Sequence, residues 1–370
     1  MQPFSRCLIS LSDAKVLQFN ARSRQNSHRI TGQRHQPPGS YLHQLTQAAN
    51  TLIAHSVAPS TRDKYNSHLQ TYNKFCQDTD TTPFPTNQQT LIIFATFLHK
   101  ANTSHQSINQ HLAAVKYYTQ VHGFDLDIPS FSRLYRLLRG IKRSQGTRYK
   151  KPPRIPITPP LLTTLGRNLW NSSILFNNKV MLWAAMLTAF YGFLRVSEYT
   201  STHVKSYDPL ITLCFHDVTV ISPHIINIRI KASKTDPLRL GVNIKLVRNN
   251  SHLCPFNALV YFLNHHPTRQ GPLFTWQDGR YLTRSHLASV LSKIKPPHLT
   301  SMSSHSFRIG AASTAAAAGL PRWLIQSLGR WTSNCYRDYI RIPQDTLVKV
   351  SHSLSTQHQN QCTPFDPDNV

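Results

Sequence analysis

From about residue 43 to 146 the apolar positions fall at helical intervals. Tyr65, Leu69, Tyr72 and Phe75, spaced four, three and three, predict one face of a helix capped near Ser60-Thr61. Leu91, Phe94, Ala95 and Leu98 predict a second over Asn87 to Lys100, and Ile108, Leu112 and Val115 a third over Ser107 to Val121. A fourth is predicted to begin near Pro129. Its Leu134, Leu137, Leu138 and Ile141 form an apolar stripe, while Arg133, Arg136, Arg139, Lys142 and Arg143 form a cationic face without interleaved carboxylates. That face predicts contact with backbone phosphates.

The pattern breaks on either side of this helical block. Residues 1 to 42 are polar and basic without a sustained period, so they predict a disordered arm. Residues 147 to 156 read as an extended cationic linker rich in proline, carrying Arg148, Lys150, Lys151 and Arg154. A second domain is predicted from 157 to 350, with a flexible tail from 351 to 370. Its helices are expected over Pro159 to Trp170 and Asn178 to Leu194, after which the period shortens to two. Asp217–Ile221, Ile225–Ile230 and Leu240–Leu246 predict three short antiparallel strands, with Lys231-Ala232-Ser233-Lys234-Thr235-Asp236-Pro237 as a hairpin tip. Helices return at Cys254-Pro255-Phe256 and at Thr283 to Ile294. The fold class is therefore mainly α, with a small antiparallel sheet set into the second domain.

Charge identifies the partner class. The 370 residues hold 41 Lys+Arg against 15 Asp+Glu, a formal net charge of +26, and the counterpart of such a chain is a polyanion. The apolar run from Val180 to Leu194 is shorter than the ~20 residues a membrane helix needs and ends in Arg195, so it reads as a buried helix. No secretory signal is recognised at the N-terminus. The six cysteines include no CxxC pair, which fits neither a zinc ribbon nor a disulfide framework and suggests a reducing compartment. His252, Cys254, His265 and His266 lack a familiar zinc spacing.

The chemistry concentrates near the C-terminus. His305-Ser306-Phe307-Arg308 and Leu328-Gly329-Arg330-Trp331 are followed by Tyr339-Ile340-Arg341, so that phosphate-gripping groups converge on a phenol. A His and an Arg holding one phosphate while a phenol oxygen attacks it amounts to nucleophilic catalysis on a phosphodiester. Ala315, Gly319 and Ile325 also fit a helix-turn-helix pattern, which would make the chain a regulator, yet that reading leaves Arg195, Lys234 and Tyr339 unused.

These motifs, with Ala189-Phe190-Tyr191-Gly192-Phe193-Leu194-Arg195-Val196-Ser197-Glu198 and Ser233-Lys234-Thr235-Asp236, resemble the tyrosine recombinases, or phage-type integrases, in order and spacing over about residues 45 to 345. The Gly329-Arg330-Trp331-Thr332-Ser333 variant looks most like recombinases of eukaryotic mobile elements, the DIRS-like retrotransposons and Cryptons. The resemblance implies an N-terminal α-helical core-binding (SAM-like) domain and a mixed α+β catalytic domain, clamped on double-stranded DNA as a tetramer on paired sites.

It further implies a site-specific recombinase or integrase that works through a 3′-phosphotyrosine, with no metal and no ATP. Arg195 and Arg308 would grip the scissile phosphate, Lys234 (with Lys231 as fallback) would protonate the leaving 5′ oxygen, and His305 would assist proton movement. Tyr339, nine residues after Arg330, would be the nucleophile, ahead of Tyr336. Where most of the family has histidine after Leu-Gly, this chain has Arg330 followed by Trp331; Trp331 is preferred for that role, and Arg330 is assigned to DNA contact. Two other readings share these residues: a catalytically silent DNA-binding descendant and a type IB topoisomerase. The expected location is the nucleus for a eukaryotic source and otherwise the cytoplasm or nucleoid.

Overall fold

The computed structural model describes residues 38–150, 152–266 and 270–341. Most of the basic arm, Lys151 and the tail from 342 onward lie outside the described residues. The chain divides between Lys150 and Lys151 into two compact units.

The first unit is all helical: α1 (Pro38–Ala54), α2 (Pro59–Asp78), α3 (Gln88–Lys100), α4 (His105–Val121), a 3-10 turn (Ile128–Ser130) and α5 (Ser132–Gln145). Tyr72, Phe75, Leu91, Phe94, Ile108, Leu112 and Leu134 meet in its core, as their helical spacing requires. The buried Tyr72 hydroxyl is satisfied by Thr86 Oγ1 at 2.8 Å. The boundaries differ in instructive ways. The stretch read as an arm already turns helical at Pro38, because proline's fixed φ suits a first turn. Helix α2 is not capped by Ser60-Thr61; Ala58 precedes it and Pro59 opens it. Elsewhere side chains cap as the physics prefers, Asn87 accepting from Thr90 N–H at 3.0 Å and Ser104 from Ser107 N–H at 3.2 Å.

Helix α5 is locked in place by one glutamine. Gln145 accepts from the His105 N–H at 2.7 Å and donates to the Thr103 carbonyl at 2.8 Å, tying the end of α5 to the start of α4. Leu134 and Ile141 are buried, while Arg133, Arg136, Arg139, Lys142 and Arg143 are all exposed. The sequence periodicity thus becomes a cationic outer face.

The second unit holds α6 (Pro159–Trp170), α7 (Phe176–Tyr191), α8 (Val196–Tyr199), β1 (Val218–Ser222), β2 (Ile225–Ile230), β3 (Val242–Val247), α9 (Pro255–His265), α10 (Arg284–Ile294), α11 (His305–Ala317), α12 (Arg322–Leu328) and a closing 3-10 helix (Asn334–Tyr339). The sheet is antiparallel in the order β1-β2-β3, and Ile226, Ile228 and Ile230 alternate into the core. Strand β3 starts two residues later than its pattern predicts, because the Asp236 carboxylate takes the Leu240 N–H at 3.1 Å and the Gly241 N–H at 2.8 Å and bends the chain there.

Helix α7 runs through the core, apolar on nearly every side. It stops at Tyr191 rather than Leu194. Phe193 adopts a left-handed φ of 50°, and the Leu194 N–H turns back to the Ala189 carbonyl at 2.9 Å. That turn brings Arg195 out of the helix.

The stretch read as a linker is not a free tether over its whole length. Ile155 and Ile157 donate to the Ser301 and Ser306 carbonyls at 3.2 and 3.0 Å, and the Ser301 hydroxyl donates to the Pro153 carbonyl at 2.9 Å. The segment lies so close to α11 that a Cβ on Gly310 would stand 1.9 Å from the Ile157 carbonyl oxygen.

Candidate active site

Glu198 is the hub from which the site is built. Its carboxylate is buried and accepts from three separated segments. The Arg195 backbone N–H reaches Oε2 at 2.9 Å, closing a capping box over α8, and Arg195 Nη1 reaches Oε1 at 2.9 Å. The Ser233 hydroxyl, on the β2–β3 hairpin, donates to Oε1 at 2.8 Å and accepts from Arg195 Nη1 at 2.7 Å. Arg330 Nη2 completes the set at 2.7 Å from Oε2. Burial alone would raise the Glu198 carboxyl, but Arg330, the hydrogen bonds and Arg195 together hold it below the ordinary glutamate value.

Arg308 is the largest fully buried side chain among the described residues. Its Nη1 donates to the Phe193 carbonyl and its Nη2 to the Gly329 carbonyl, so two tight turns aim their oxygens at one guanidinium. The second turn is possible only without a side chain at 329, where a Cβ would fall 1.6 Å from the Trp331 ring. Trp331 in turn lies 4.2 Å from the Arg308 Cζ. Burial, reinforced by Arg195 and Arg330, draws Arg308 down to about 10, so it remains charged at neutral pH.

Three guanidinium charges, those of Arg195, Arg308 and Arg330, are thus gathered around one carboxylate. Several of their donors have no partner among the described residues: Arg308 Nε and Arg330 Nε are buried, and Arg195 engages only Nη1. The Trp331 indole N–H is likewise buried and unpartnered. Uncompensated buried positive charge with idle donors calls for an anion.

The phenol lies beside this cluster. The Tyr339 ring is 5.1 Å from His305 and 4.9 Å from Trp331, centroid to centroid, and 5.6 Å from the Arg308 Cζ. Its backbone is held to α11, the Tyr339 carbonyl accepting from Ser313 Oγ at 3.1 Å. Tyr339 is partly exposed, whereas Tyr336 is buried. His305 is drawn down to about 4 by burial and then by Arg154, Arg308, Arg195 and Arg284, and it is therefore neutral at pH 7.

Of the residues singled out in the sequence, the fold brings Arg195, His305, Arg308, Trp331 and Tyr339 together. Arg330, read as a DNA contact, turns inward instead: a left-handed φ of 54° lets it pair with Glu198 and donate to the Gly192 carbonyl at 3.1 Å. Lys234 is exposed on the hairpin and touches none of the group, although its neighbour Ser233 is bonded into it. Lys231 is engaged elsewhere, 2.7 Å from Asp217 Oδ2. Arg148 and Lys150 are exposed, and Lys151 is outside the described residues.

Ser233, Arg154 and Arg284 were not anticipated. The serine stands beside the singled-out lysine, which is a weak signal; the two arginines approach His305 only through long-range folding. The remaining motifs have structural uses. Gly319, at φ 79°, turns the chain from α11 into α12 with Ala315 and Ile325 buried. Cys254 accepts from the Asn257 N–H at the start of α9, while His252 and His265 bond to Thr163 and Tyr261. The one group of three metal-ligand side chains among the described residues, Cys214, His216 and Asp217, has its carboxylate paired with Lys231.

Residues 48–122 match the family model "Phage integrase, N-terminal SAM-like domain". Among solved structures, the post-cleavage complex of the XerH site-specific recombinase with palindromic difH substrate is similar at a TM-score of 0.55 and 14% identity, covering 80% of this chain and 79% of that one. Tn1549 transposon integrase (Y379F) with transposon right-end DNA gives a TM-score of 0.52 at 14% identity, over 85% of this chain and 98% of that one. The pre-cleavage XerH complex gives 0.51 at 13% identity, over 78% of each chain. No curated protein matches the sequence. With a phage-integrase SAM-like match in the first unit and these likenesses spanning both, the chain resembles the tyrosine recombinases and has their fold.

Proposed function

We propose that this chain is a site-specific DNA recombinase or integrase that breaks and rejoins strands through a covalent 3′-phosphotyrosine on Tyr339. The observation that carries the reading is the excess of buried guanidinium charge beside a partly exposed phenol. A scissile phosphate entering the cluster meets idle donors on Arg195, Arg308 and Trp331, which hold its non-bridging oxygens and stabilise the extra negative charge of the pentacoordinate transition state.

Neutral His305 takes the proton as Tyr339 Oη bonds to phosphorus, and the P–O5′ bond breaks with Lys234 donating a proton to the departing oxygen. The diester energy is kept in the tyrosyl ester, so a second 5′ hydroxyl reverses the step without ATP. Lys234 is preferred over Lys231 because the latter is held by Asp217. Arg330 acts behind the phosphate, fixing Glu198 and through it Arg195. The exposed arginines of α5 with Arg148, Lys150 and Lys151 grip the flanking duplex, and four copies on paired sites complete the reaction. The placement among DIRS-like and Crypton recombinases rests on the Gly329–Ser333 sequence.

The test is a duplex library carrying a nick near the cleavage site, which traps the covalent adduct. The parent chain and Tyr336→Phe should both yield it. Tyr339→Phe should yield none, and an undiminished adduct from that variant would refute the nucleophile. Absence of any adduct from the parent would favour a silent DNA-binding protein, and relaxation of arbitrary supercoiled plasmid without site preference would favour a topoisomerase.

A further inference from the structure

The cleft between α8 and α10 is separate from the phosphate-gripping cluster but begins within two residues of it. It is an open cleft of about 560 Å³ lined chiefly by hydroxyls and one cation: Ser197, Thr200, Ser201, Thr202, Thr283 and Arg284 are among its walls. No carboxylate lines it. Its floor is rigid, because Ser201 N–H donates to the Leu282 carbonyl at 2.9 Å and Ser201 pairs with Thr283 as a short parallel bridge. Tyr281 N–H adds a bond to the Val204 carbonyl at 2.8 Å.

Two features of this cleft are unexplained by packing. Ser201 is 96% buried, yet its hydroxyl, which lines the cleft, has no hydrogen-bond partner among the described residues. Arg284 is exposed and has no ion pair among the described residues, and its charge is felt at His305. An unpartnered hydroxyl open to the cleft and a guanidinium without an ion pair among the described residues, with more hydroxyls around them and no acid, suit a tetrahedral oxyanion better than an apolar or cationic ligand. Ser197 is two residues beyond Arg195, so its Cα lies within about 7.6 Å of the arginine's.

We propose that this cleft holds a second phosphate of the same DNA strand, flanking the one at which the strand is cut, with Arg284 and Ser201 as its principal ligands. This inference rests on the reading of the chain as a DNA-cleaving enzyme and deepens it. The second phosphate fixes the register of the backbone over Tyr339; base identity plays no part in it.

The experiment measures binding of the full chain to a random duplex of about 30 base pairs by fluorescence anisotropy, from about 50 to 200 mM salt. Arg284→Gln should weaken binding about tenfold at the lowest salt and reduce the log–log salt slope by about 0.9, the loss of one phosphate contact. Ser201→Ala should weaken it about threefold with the slope unchanged. The double variant should lose less than the product of the two, because both ligands act on one phosphate. Unchanged affinity and slope in Arg284→Gln, or independent effects of the two substitutions, would overturn the proposal. Thermal unfolding of each variant guards against misfolding, and Ser201→Thr, which keeps the hydroxyl, should bind more tightly than Ser201→Ala. Failure is distinguishable from failure of the parent reading: an adduct from the parent chain without coupling sinks this inference alone, and no adduct from the parent sinks the reading beneath it.

Discussion

Arginines stand in two different environments in the two units. On α5 of the first, Arg133, Arg136, Arg139 and Arg143 stand in solvent with no carboxylate on their helix. In the second, Arg195, Arg308 and Arg330 are folded among turn carbonyls and around Glu198. Under the proposed function the exposed set would act through a field that salt screens and that is indifferent to which phosphate it meets. The inner set has fixed directions and little room, which under the proposed function suits Arg195 and Arg308 to one phosphate geometry before substrate arrives. On that proposal the same side chain serves adhesion or chemistry according to what surrounds it.

The largest effect should come from an inner arginine altered as gently as possible. Arg308→Lys keeps the charge but loses the fork that reaches two carbonyls, and adduct formation in single turnover should fall about 10³-fold with duplex binding within about threefold. Equal losses in both assays would erase the contrast between the units. Removing the outer set, Arg133, Arg136, Arg139 and Arg143 together to Gln, should do the reverse. Duplex affinity at low salt should fall about 100-fold and the salt slope by up to about 3.6, while adduct formation at saturating DNA stays within a few-fold.

A smaller effect isolates packing from charge. Gly310→Ala drives a methyl group into the Ile157 carbonyl and should push the 153–157 segment off α11, costing about 3 kcal/mol of stability in denaturant unfolding. Arg154 would leave His305 with it.

The smallest concerns His305 itself. Its folded pKa of about 4 lies below the unfolded 6.5, so the unfolded chain binds more protons between those values. Stability should therefore fall as pH drops from about 6.5 to 4, by on the order of 1 kcal/mol once the solvent-facing part of the ring is allowed for. His305→Asn should remove that slope. An NMR titration of His305 near 6.5 in the free protein would contradict its burial among arginines, and added duplex should raise its midpoint.

Much of this was legible in the chain. Four helices of the first unit, the three strands and the residues around the phenol follow from spacing, because apolar period and motif order are local properties. What was hidden is what side chains do after long-range contact. Nothing in the order Gly329-Arg330-Trp331 says that a left-handed Arg330 turns back to Glu198, 132 residues earlier, while Trp331 keeps an idle N–H. Proline and basic residues from 147 to 156 announce a linker, but its latter part is claimed by Ser301 and Ser306, which no local pattern reveals.

The hub at Glu198 has a consequence for the life of the molecule. Translation delivers Arg195, Glu198 and Ser233 well before Arg308, Arg330 and Tyr339 exist. A nascent polypeptide that stops short of them therefore holds Glu198 with only part of its cation set and no phenol beside it. On the proposed function, the order of synthesis itself delays the competence to cut, which arrives only when Arg308, Arg330 and Tyr339 join the residues already made.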